Sequence, residues 1–291
     1  MANLKVIRGR MVSVKSTRQV TSAMKMVSAA KLRRAQEAII RIRPYADKLH
    51  EILGSLSQSL ESLEDNPYSA ERGFNKILLV TINSNRGLCG GFNANVNKQA
   101  IQLIENEFNE QVNKGNLEIQ AIGKNTYDFF RRAGFQVSHH NDLYNNLNFE
   151  QVSPVVEAIM KDFVNLKYDK VFLIYNEFKN AATQNLKVQQ FLPIIENIET
   201  SENGSIDYIY EPSKEEIVRE LIPRSLKIQF YRALLDSYAA EHGARMTAMH
   251  QATDNATDLL KSLNLQYNKA RQAAITNEIL EIVSGAEALK G

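Results

Sequence analysis

The chain has 291 residues, of which 44% are hydrophobic, and its formal net charge is +2 at pH 7. This suffices for one or two domains with a real core, and the small net charge excludes binding of polyanions through bulk charge alone. The single cysteine, Cys89, excludes an intramolecular disulfide and suits a reducing compartment. Neither a membrane-spanning apolar run nor a signal peptide is evident, so we expect mature protein from the start of the sequence.

The first long helical pattern runs from Asn3 to Leu60. Its repeating positions, spaced mostly three and four residues apart, are Leu4, Ile7, Met11, Val14, Arg18, Thr21, Met24, Ser28, Leu32, Ala35, Ile39 and Ile42. This spacing places them on one face of an α-helix that is suited to packing against a second helix. We expect Pro44 to kink or end the helix, because proline lacks the amide hydrogen that the helical backbone uses.

Basic residues dominate this first helix. Residues 1–43 contain eleven lysines and arginines but only one acidic residue, Glu37. A solvated helix face normally carries acidic partners one turn away, and they are missing here. Such a face can bind nucleic acid, an anionic membrane or an acidic protein surface. Because no aromatic residue precedes Tyr45, base stacking is disfavoured, and we predict an acidic protein partner and no nucleic acid.

Residues 67–212 have a different pattern. Apolar stretches typical of buried strands alternate with helical patterns: the strands are at residues 76–82, 117–122 and 170–175, and the helices at 93–114, 125–133 and 153–166. This alternation predicts a mostly parallel, doubly wound, Rossmann-like sheet. Residues 186–195 and 207–211 are also strand-like, and we expect them at or near an edge of the sheet.

Two segments of this central domain invite a nucleotide-binding interpretation. Residues 87–91, with the sequence GLCGG, follow a predicted strand and precede a helix, where a phosphate-binding loop would lie. They match neither GxGxxG nor GxxxxGK[ST]. Residues 123–126 lack the earlier glycine and have Asn125 where serine or threonine would bind magnesium. We therefore predict tight turns at both places and no nucleotide site.

Catalytic and metal centres are not indicated either. Cys89 has no evident histidine and acidic partners that would make it a nucleophile. His139 and His140 are adjacent, so their side chains point apart, and no further cysteine or third histidine completes a metal set. We predict no catalytic residue, no metal and no cofactor.

The second long helical pattern runs from Pro223 to Leu289. Its repeating positions are Leu235, Tyr238, His242, Met246, Met249, Thr253, Ala256, Leu260, Leu263, Tyr267, Ala270, Ala274 and Asn277. We expect Pro223 to open this helix, because a proline in the first turn loses no hydrogen bond. At about 1.5 Å per residue the helix would be on the order of 100 Å long, so much of it must project from any compact domain.

Two long helices at opposite ends of one chain can pack against each other. We therefore predict a long antiparallel coiled coil, with Met24 level with the stretch from Ala256 to Tyr267 or beyond. Parallel pairing between separate chains is less favoured, because small and polar residues interrupt both faces. The expected organisation is an N-terminal helix at residues 1–66, a Rossmann-like α/β domain at 67–212 and a C-terminal region, mainly the long helix, at 213–291.

Several segments resemble a known family. In chain order they are TSAMKMVSAAKLR at residues 21–33, NRGLCGGFN at 85–93, EHGARMTAM at 241–249, ATDNA at 252–256 and YNKARQAAITNEILEIVSGA at 267–286. Together they make the chain similar to the gamma subunit of F-type ATP synthases over essentially its whole length. The last segment is the most specific. Asn85, where the family often has aspartate, and Gly243 within the helix are modest departures.

The resemblance implies a rotor shaft and not an enzyme. The coiled coil would enter a ring of three alpha and three beta subunits, and the globular part would lie against the epsilon subunit and the ring of c subunits. Proton-driven rotation of the c ring would turn the shaft and move the beta subunits through their conformations in sequence. An acidic loop of the beta subunits would then be the partner of the basic helix.

The resemblance also assigns contact residues and a location. The neck, which would contact the beta subunits, comprises Met24, Lys25, Glu241, Arg245, Arg271, Gln272 and Thr276. The foot, near the c ring and epsilon, comprises Tyr208, Tyr210 and Glu211. The expected location is the cytoplasmic side of a bacterial plasma (inner) membrane, with the chain held there peripherally by the complex.

Two other functions account for parts of the pattern. A free-standing coiled-coil adaptor with an α/β head would explain the helices and the basic face, but not the ordered segment at residues 267–286. An enzyme that binds nucleotide in its central domain would explain only the predicted sheet. Co-purification with alpha, beta and epsilon chains separates a rotor from an adaptor, and equilibrium dialysis with ATP tests the enzyme.

Overall fold

The computed structural model describes residues 4–59, 66–181, 183–194 and 214–288. Contacts divide the chain into two compact units, a smaller one made of Met1–Ser28 with Met246–Gly291 and a larger one made of Ala29–Arg245. Two long helices, α1 (Leu4–Ser59) and α6 (Lys214–Ala288), contribute residues to both units.

Both prolines lie inside helices. Pro44 is within α1 and does not end it, and Pro223 is within α6, so the expectation that Pro223 opens the helix is wrong. A proline inside a helix removes one backbone hydrogen bond. Near Pro223 this cost is offset by apolar burial, because Ile222 and Leu226 lie in the core of the larger unit.

A five-stranded sheet forms the centre of the larger unit. Its strands are β1 (Ile77–Ile82), β2 (Leu117–Ile122), β3 (Val137–His139), β4 (Lys170–Phe178) and β5 (Gln184–Leu192). Their order is β3-β2-β1-β4-β5, and all neighbours are parallel except β4 and β5. This order confirms the predicted doubly wound sheet with an added strand at its edge. The short β3 is not predicted by the sequence, because three residues are too few to show alternation.

The shorter helices differ from the prediction at their ends. They are α2 (Phe92–Asn106), α3 (Asn109–Asn113), α4 (Lys124–Arg132) and α5 (Phe149–Val164), with a 3-10 turn at Asn141–Asn145. The single helix predicted at residues 93–114 is thus two helices. The helix predicted from residue 153 begins earlier, because the Asn148 side chain accepts a hydrogen bond from the Gln151 amide and caps it there.

Apolar side chains pack on both faces of the sheet. On one face, residues of β1, β4 and α5 form a cluster with Leu226, Phe230 and Leu234 of α6. On the other face, β1 and β2 pack against α2 and the rings of Phe108 and Phe130. Part of α6 therefore serves as a layer of the α/β domain, and apolar burial fixes that part to the sheet.

The two long helices run antiparallel. In the larger unit, Lys31 of α1 acts electrostatically on Glu241 of α6. Further along α1, Tyr45 has the guanidinium of Arg224, which is earlier on α6, 5.5 Å from its ring centroid. Increasing numbers on α1 thus meet decreasing numbers on α6, as the sequence predicts.

The offset between the helices differs from the prediction. In the smaller unit, the Oγ1 atoms of Thr21 and Thr253 lie 2.8 Å apart. Because the helices are antiparallel, Met24 is level with the region of Met249, so the expected position between Ala256 and Tyr267 is wrong. Periodicity identifies which face of a helix is buried, but it carries no information on axial offset.

The predicted seam extends along most of both helices. On α1 every predicted position from Leu4 to Ile42 is buried or half-buried, and on α6 the same holds from Leu235 to Ala270. Ala274 and Asn277 are exposed, in contrast to the prediction. The register set by Thr21 and Thr253 accounts for this, because it leaves these two positions past the described start of α1.

Gly123 follows β2 and allows the backbone there to approach the end of β1 closely. Its φ is +118°, and an added Cβ would lie 2.3 Å from the carbonyl oxygen of Asn83. We expect Gly123→Ala to lower the free energy of unfolding by more than about 3 kcal/mol, because the obstructing atom belongs to the backbone at the end of β1. Urea denaturation followed by circular dichroism measures this loss.

Gly134→Ala is the matched control for that experiment. Its φ of +87° is also positive, but an added Cβ meets nothing within 4 Å. We expect a loss of only about 1–2 kcal/mol, the ordinary cost of a left-handed alanine. Equal losses in the two variants would contradict the importance of the contact with Asn83.

A disulfide tests the helix register. In a Cys89→Ser background, Thr21→Cys with Thr253→Cys should form a disulfide within one chain, because the two Oγ1 atoms lie 2.8 Å apart. The control pair, Met24→Cys with Leu260→Cys, has the offset expected from the sequence and should stay reduced. Non-reducing electrophoresis measures both, and a covalent dimer or crosslinking of the control pair alone would overturn the register.

Candidate functional site

The seven residues that the resemblance assigns to the neck fall into three groups. The groups are the buried Glu241 and Arg245, the half-buried Met24 and Lys25, and the exposed Arg271, Gln272 and Thr276. The buried pair belongs to the larger unit, and the other two groups belong to the smaller one.

Arg245 joins α6 to the loop after β1. Its Nη1 donates to the Glu241 carboxylate at 2.5 Å, and its Nη2 donates to the carbonyl oxygens of Arg86 and Gly87 at 2.9 and 3.3 Å. The Arg245 and Glu241 side chains are only 8% and 9% exposed, so each buried charge depends on the other. Burial raises the pKa of Glu241, and the guanidinium opposes that rise.

His242 completes this buried cluster as a neutral ring. Its Nδ1 lies 3.3 Å from Nη1 of Arg245, and its ring is edge-on to Tyr238 with the centroids 4.4 Å apart. Burial and the charges of Arg245 and Lys31 lower its pKa to about 3. Nδ1 therefore accepts from the arginine, which leaves the ring hydrogen on Nε2, an atom that is buried without a hydrogen-bond partner.

Two buried side chains anchor the other side of the loop after β1. Cys89 and Phe92 pack against Ala240 of α6. Between these anchors and Arg86, Leu88 has a left-handed φ of +62° and is 66% exposed. Burial raises the pKa of the Cys89 thiol, which suits an unreactive cysteine.

A buried polar network closes the end of β1. Asn83 Nδ2 lies 3.2 Å from Asn97 Oδ1 and donates to Thr126 Oγ1 at 2.6 Å. Ser84 Oγ lies 2.8 Å from Asn93 Oδ1 and 2.7 Å from the carbonyl oxygen of Arg86, and the Ser84 amide donates to Asn93 Oδ1 at 3.3 Å. These buried side chains occupy the crevice at the carboxyl ends of the strands, where doubly wound sheets hold ligands.

Sequence reasoning missed this network. The available signal was the pair of Asn93 and Asn97, which lie one turn apart on a face of α2 that also carries Val96 and Ala100. Buried asparagines at such positions need hydrogen-bond partners. Asn83 and Ser84, which directly follow β1, and Thr126, at the end of the turn predicted at residues 123–126, supply these partners.

Met24 and Lys25 lie on α1 in the smaller unit, one turn after Thr21. Both are half-buried, while the neighbouring Met26 and Val27 are 65% and 57% exposed. Adjacent exposed apolar side chains form a surface that is suited to a partner protein.

Arg271, Gln272 and Thr276 lie on the most exposed part of α6. All positions from 271 to 288 are exposed. Large apolar residues recur among them, at Ile275, Ile279, Leu280, Ile282 and Val283. An apolar helix surface gains no stability while it remains in water, so we expect a partner to cover this one.

Three further expectations concern the foot, metals and membranes. Tyr208, Tyr210 and Glu211, together with the strand expected at residues 207–211, lie outside the described residues. Within the residues that are described, no group of three or more histidine, cysteine, aspartate and glutamate side chains is placed to hold a metal ion. None of the described helices combines the length and the apolar character that are needed to cross a membrane.

Asp236 is another buried charge on α6, in the larger unit. Burial raises its pKa from 3.8 to about 6. The charged groups acting on it are Arg232 on α6, Glu177 on β4, Lys187 on β5 and Arg43 on α1. Arg232, Lys187 and Arg43 lower the pKa of Asp236, but by less than burial raises it.

This carboxyl group makes stability depend on pH. Because its folded-state pKa of about 6 exceeds the ordinary 3.8, the folded chain binds the proton more tightly, and its contribution is lost as pH rises through about 6. Asp236→Asn should therefore raise the free energy of unfolding at pH 8 by on the order of 2 kcal/mol and leave it nearly unchanged at pH 4. Urea denaturation at the two pH values measures this difference.

Asp258→Asn is the control, because its side chain is 74% exposed. We expect its effect to stay within about 0.5 kcal/mol at both pH values. An Asp236→Asn effect that is the same at pH 4 and pH 8 would contradict a buried carboxylate as the cause.

Comparison with known proteins places this arrangement in a family. A family model described as ATP synthase matches residues 3–289. The ATP synthase gamma chains of Flavobacterium johnsoniae and Christiangramia forsetii are 54% and 51% identical to this chain, and each match covers 100% of both sequences. A chain in the cryo-EM structure of the Euglena gracilis mitochondrial ATP synthase (OSCP/F1/c-ring, rotational state 3) shares the fold, with a TM-score of 0.68 and 21% identity over 98% of this chain and 94% of that one. The chain therefore belongs to the ATP synthase gamma chain family.

Proposed function

We propose that this chain is the central rotor shaft of an F-type ATP synthase. It couples rotation of a c ring to ATP synthesis or hydrolysis in a head of three alpha and three beta subunits, and it carries out no catalysis itself. The observation that carries this proposal is the 54% identity to a gamma chain over 291 residues, because that identity covers both units and not one domain alone.

The exposed end of α6 supports a shaft that is enclosed by other subunits. Ile275, Ile279 and Ile282 are 49%, 55% and 68% exposed, and a surrounding protein ring would remove them from water. Each orientation of such a helix presents a different set of side chains to each beta subunit. Orientation-dependent contacts shift the conformational equilibrium of the subunit that makes them, and with it the affinity for nucleotide.

The basic surface of α1 supports an acidic partner. Arg8, Arg10 and Lys15 are exposed in the smaller unit. In the larger unit, Arg33 is 83% exposed even though it pairs with Glu37. Exposed ion pairs contribute about 0–1 kcal/mol each, so many of them can guide a partner without locking the shaft in one orientation. We propose the acidic loop of the beta subunits as this partner.

The neck and foot complete the proposed contacts. The exposed Arg271, Gln272 and Thr276 and the half-buried Met24 and Lys25 would meet the beta subunits. Glu241 and Arg245, which the resemblance also assigns to the neck, are largely enclosed by their own chain. The foot residues Tyr208, Tyr210 and Glu211 would meet the epsilon subunit and the c ring, with the complex holding the chain peripherally on the cytoplasmic side of a bacterial plasma membrane.

Met24→Lys tests the coupling role of the neck. The added cation creates a new contact with a beta subunit in some orientations of the shaft, and a bias of ~1.4 kcal/mol already changes a population tenfold. We expect the assembled complex to retain ATP hydrolysis within about twofold, because the nucleotide sites belong to other chains, but to pump several-fold fewer protons per ATP. ATP hydrolysis and ATP-driven proton uptake are measured in the same vesicles.

Val188→Lys is the matched control, because it adds the same cation to an exposed position of β5 (39% exposed). It should leave both hydrolysis and the ratio of pumping to hydrolysis unchanged. If pumping and hydrolysis fall in strict proportion in the Met24→Lys complex, the neck has no coupling role.

A further inference from the structure

The buried guanidinium of Arg245 has two separate sets of partners. One arm of its fork is held by the Glu241 carboxylate on the same helix, at 2.5 Å. The other arm donates to the carbonyl oxygens of Arg86 and Gly87, on the loop after β1. The Glu241 carboxylate and Nδ1 of His242, which lies 3.3 Å away, are the partners of Nη1, while Nη2 is directed at the backbone of a distant segment.

Leu88 is the residue that follows these two carbonyls. Its φ of +62° is in the left-handed region, which is sterically disfavoured for leucine. Its side chain is 66% exposed, so packing of the side chain does not compensate for the backbone. A disfavoured conformation persists only where the residues on both sides are fixed.

Both sides of Leu88 are fixed by α6. On the preceding side, Arg245 donates to the carbonyl oxygens of Arg86 and Gly87, and the Arg86 oxygen also lies 2.7 Å from Oγ of Ser84. On the following side, Cys89 is 1% exposed and packs against Ala240. The loop therefore bridges two points on one helix, and Leu88 and the exposed side chain of Arg86 project outward between those points.

We propose that Arg245 is a positioning residue that acts through this loop and does not itself contact a partner subunit. Its guanidinium, aligned by Glu241, holds the loop so that Leu88 and Arg86 form an outward surface of the larger unit for a partner subunit. This use of the surface rests on the proposed rotor function. The positioning of the loop is a property of the chain alone and is testable without the complex.

The alternative is that Arg245 only neutralises Glu241. The loop carbonyls would then accept hydrogen bonds by coincidence, and the loop would keep its conformation without them. The two cases differ in how the loop responds when the guanidinium is removed, and the chain contains a reporter for that response.

Cys89 is that reporter, because it is the single cysteine of the chain and lies in the loop with 1% exposure. We expect Arg245→Met in the full chain to increase the rate of reaction with Ellman's reagent by at least about tenfold, since the thiol reacts only when the loop opens. Arg245 lowers the thiol pKa, so loss of its charge alone would slow the reaction. Faster reaction therefore reports opening of the loop.

Two further variants control for general destabilisation. Arg219→Met, at an exposed arginine on α6, should leave the thiol rate unchanged. Glu241→Met combined with Arg245→Met replaces the buried pair by apolar groups, which keeps folds intact in comparable cases. The double variant should still react at least about tenfold faster than the wild type, at a urea midpoint close to that of the wild type.

Leu88→Asn decides between the two cases, because asparagine adopts the left-handed conformation more readily than leucine. If Arg245 holds Leu88 in place, Arg245→Met should accelerate the thiol reaction less than about threefold in the Leu88→Asn background. Equal acceleration in both backgrounds, or none in either, would overturn the positioning role. Neither result bears on the rotor function, which the ratio of pumping to hydrolysis tests separately.

Discussion

The ion pair between Glu241 and Arg245 governs how α6 meets the loop after β1. Removing one member of such a buried pair costs about 3–5 kcal/mol, because the other charge is left uncompensated. Arg245 also donates hydrogen bonds to the carbonyl oxygens of Arg86 and Gly87. Apolar packing alone could hold a loop near a helix, but a guanidinium donates only along its fork and therefore also fixes the direction of the backbone.

The side chains along α6 differ in size and polarity according to what each part of the helix contacts. Phe230 and Leu234 are large where they pack on the sheet. Where the turn between β4 and β5 approaches α6, the helix has a glycine, Gly243. An added Cβ there would lie 3.2 Å from the Cα of Ala181. In the smaller unit Thr253 meets Thr21. One helix thus has several environments in succession, which explains why its seam lacks the uniform leucines of a self-sufficient coiled coil.

Local rules account for what the sequence predicts well. The seam positions and the alternation of strands and helices depend on which face is buried, and periodicity records that directly. The passage of α6 through Pro223 depends instead on tertiary burial of Ile222, which outweighs the local cost of proline. The offset of Met24 and the carbonyl contacts of Arg245 depend on segments far apart in the chain, so neither spacing nor family resemblance reveals them.

The threonine contact in the seam contributes little to the association of the two helices. Thr21 Oγ1 and Thr253 Oγ1 can also donate to carbonyl oxygens of their own helices, those of Arg18 and Met249, at 3.1 and 2.7 Å. Parting the helices therefore leaves neither hydroxyl without an acceptor, and the contact contributes little to their association. Small polar groups let the helices approach closely but bury little apolar area. The apolar burial that holds this pair of helices together therefore comes from other seam positions, such as Ile7, Met249 and Leu263, each of which is 5% exposed.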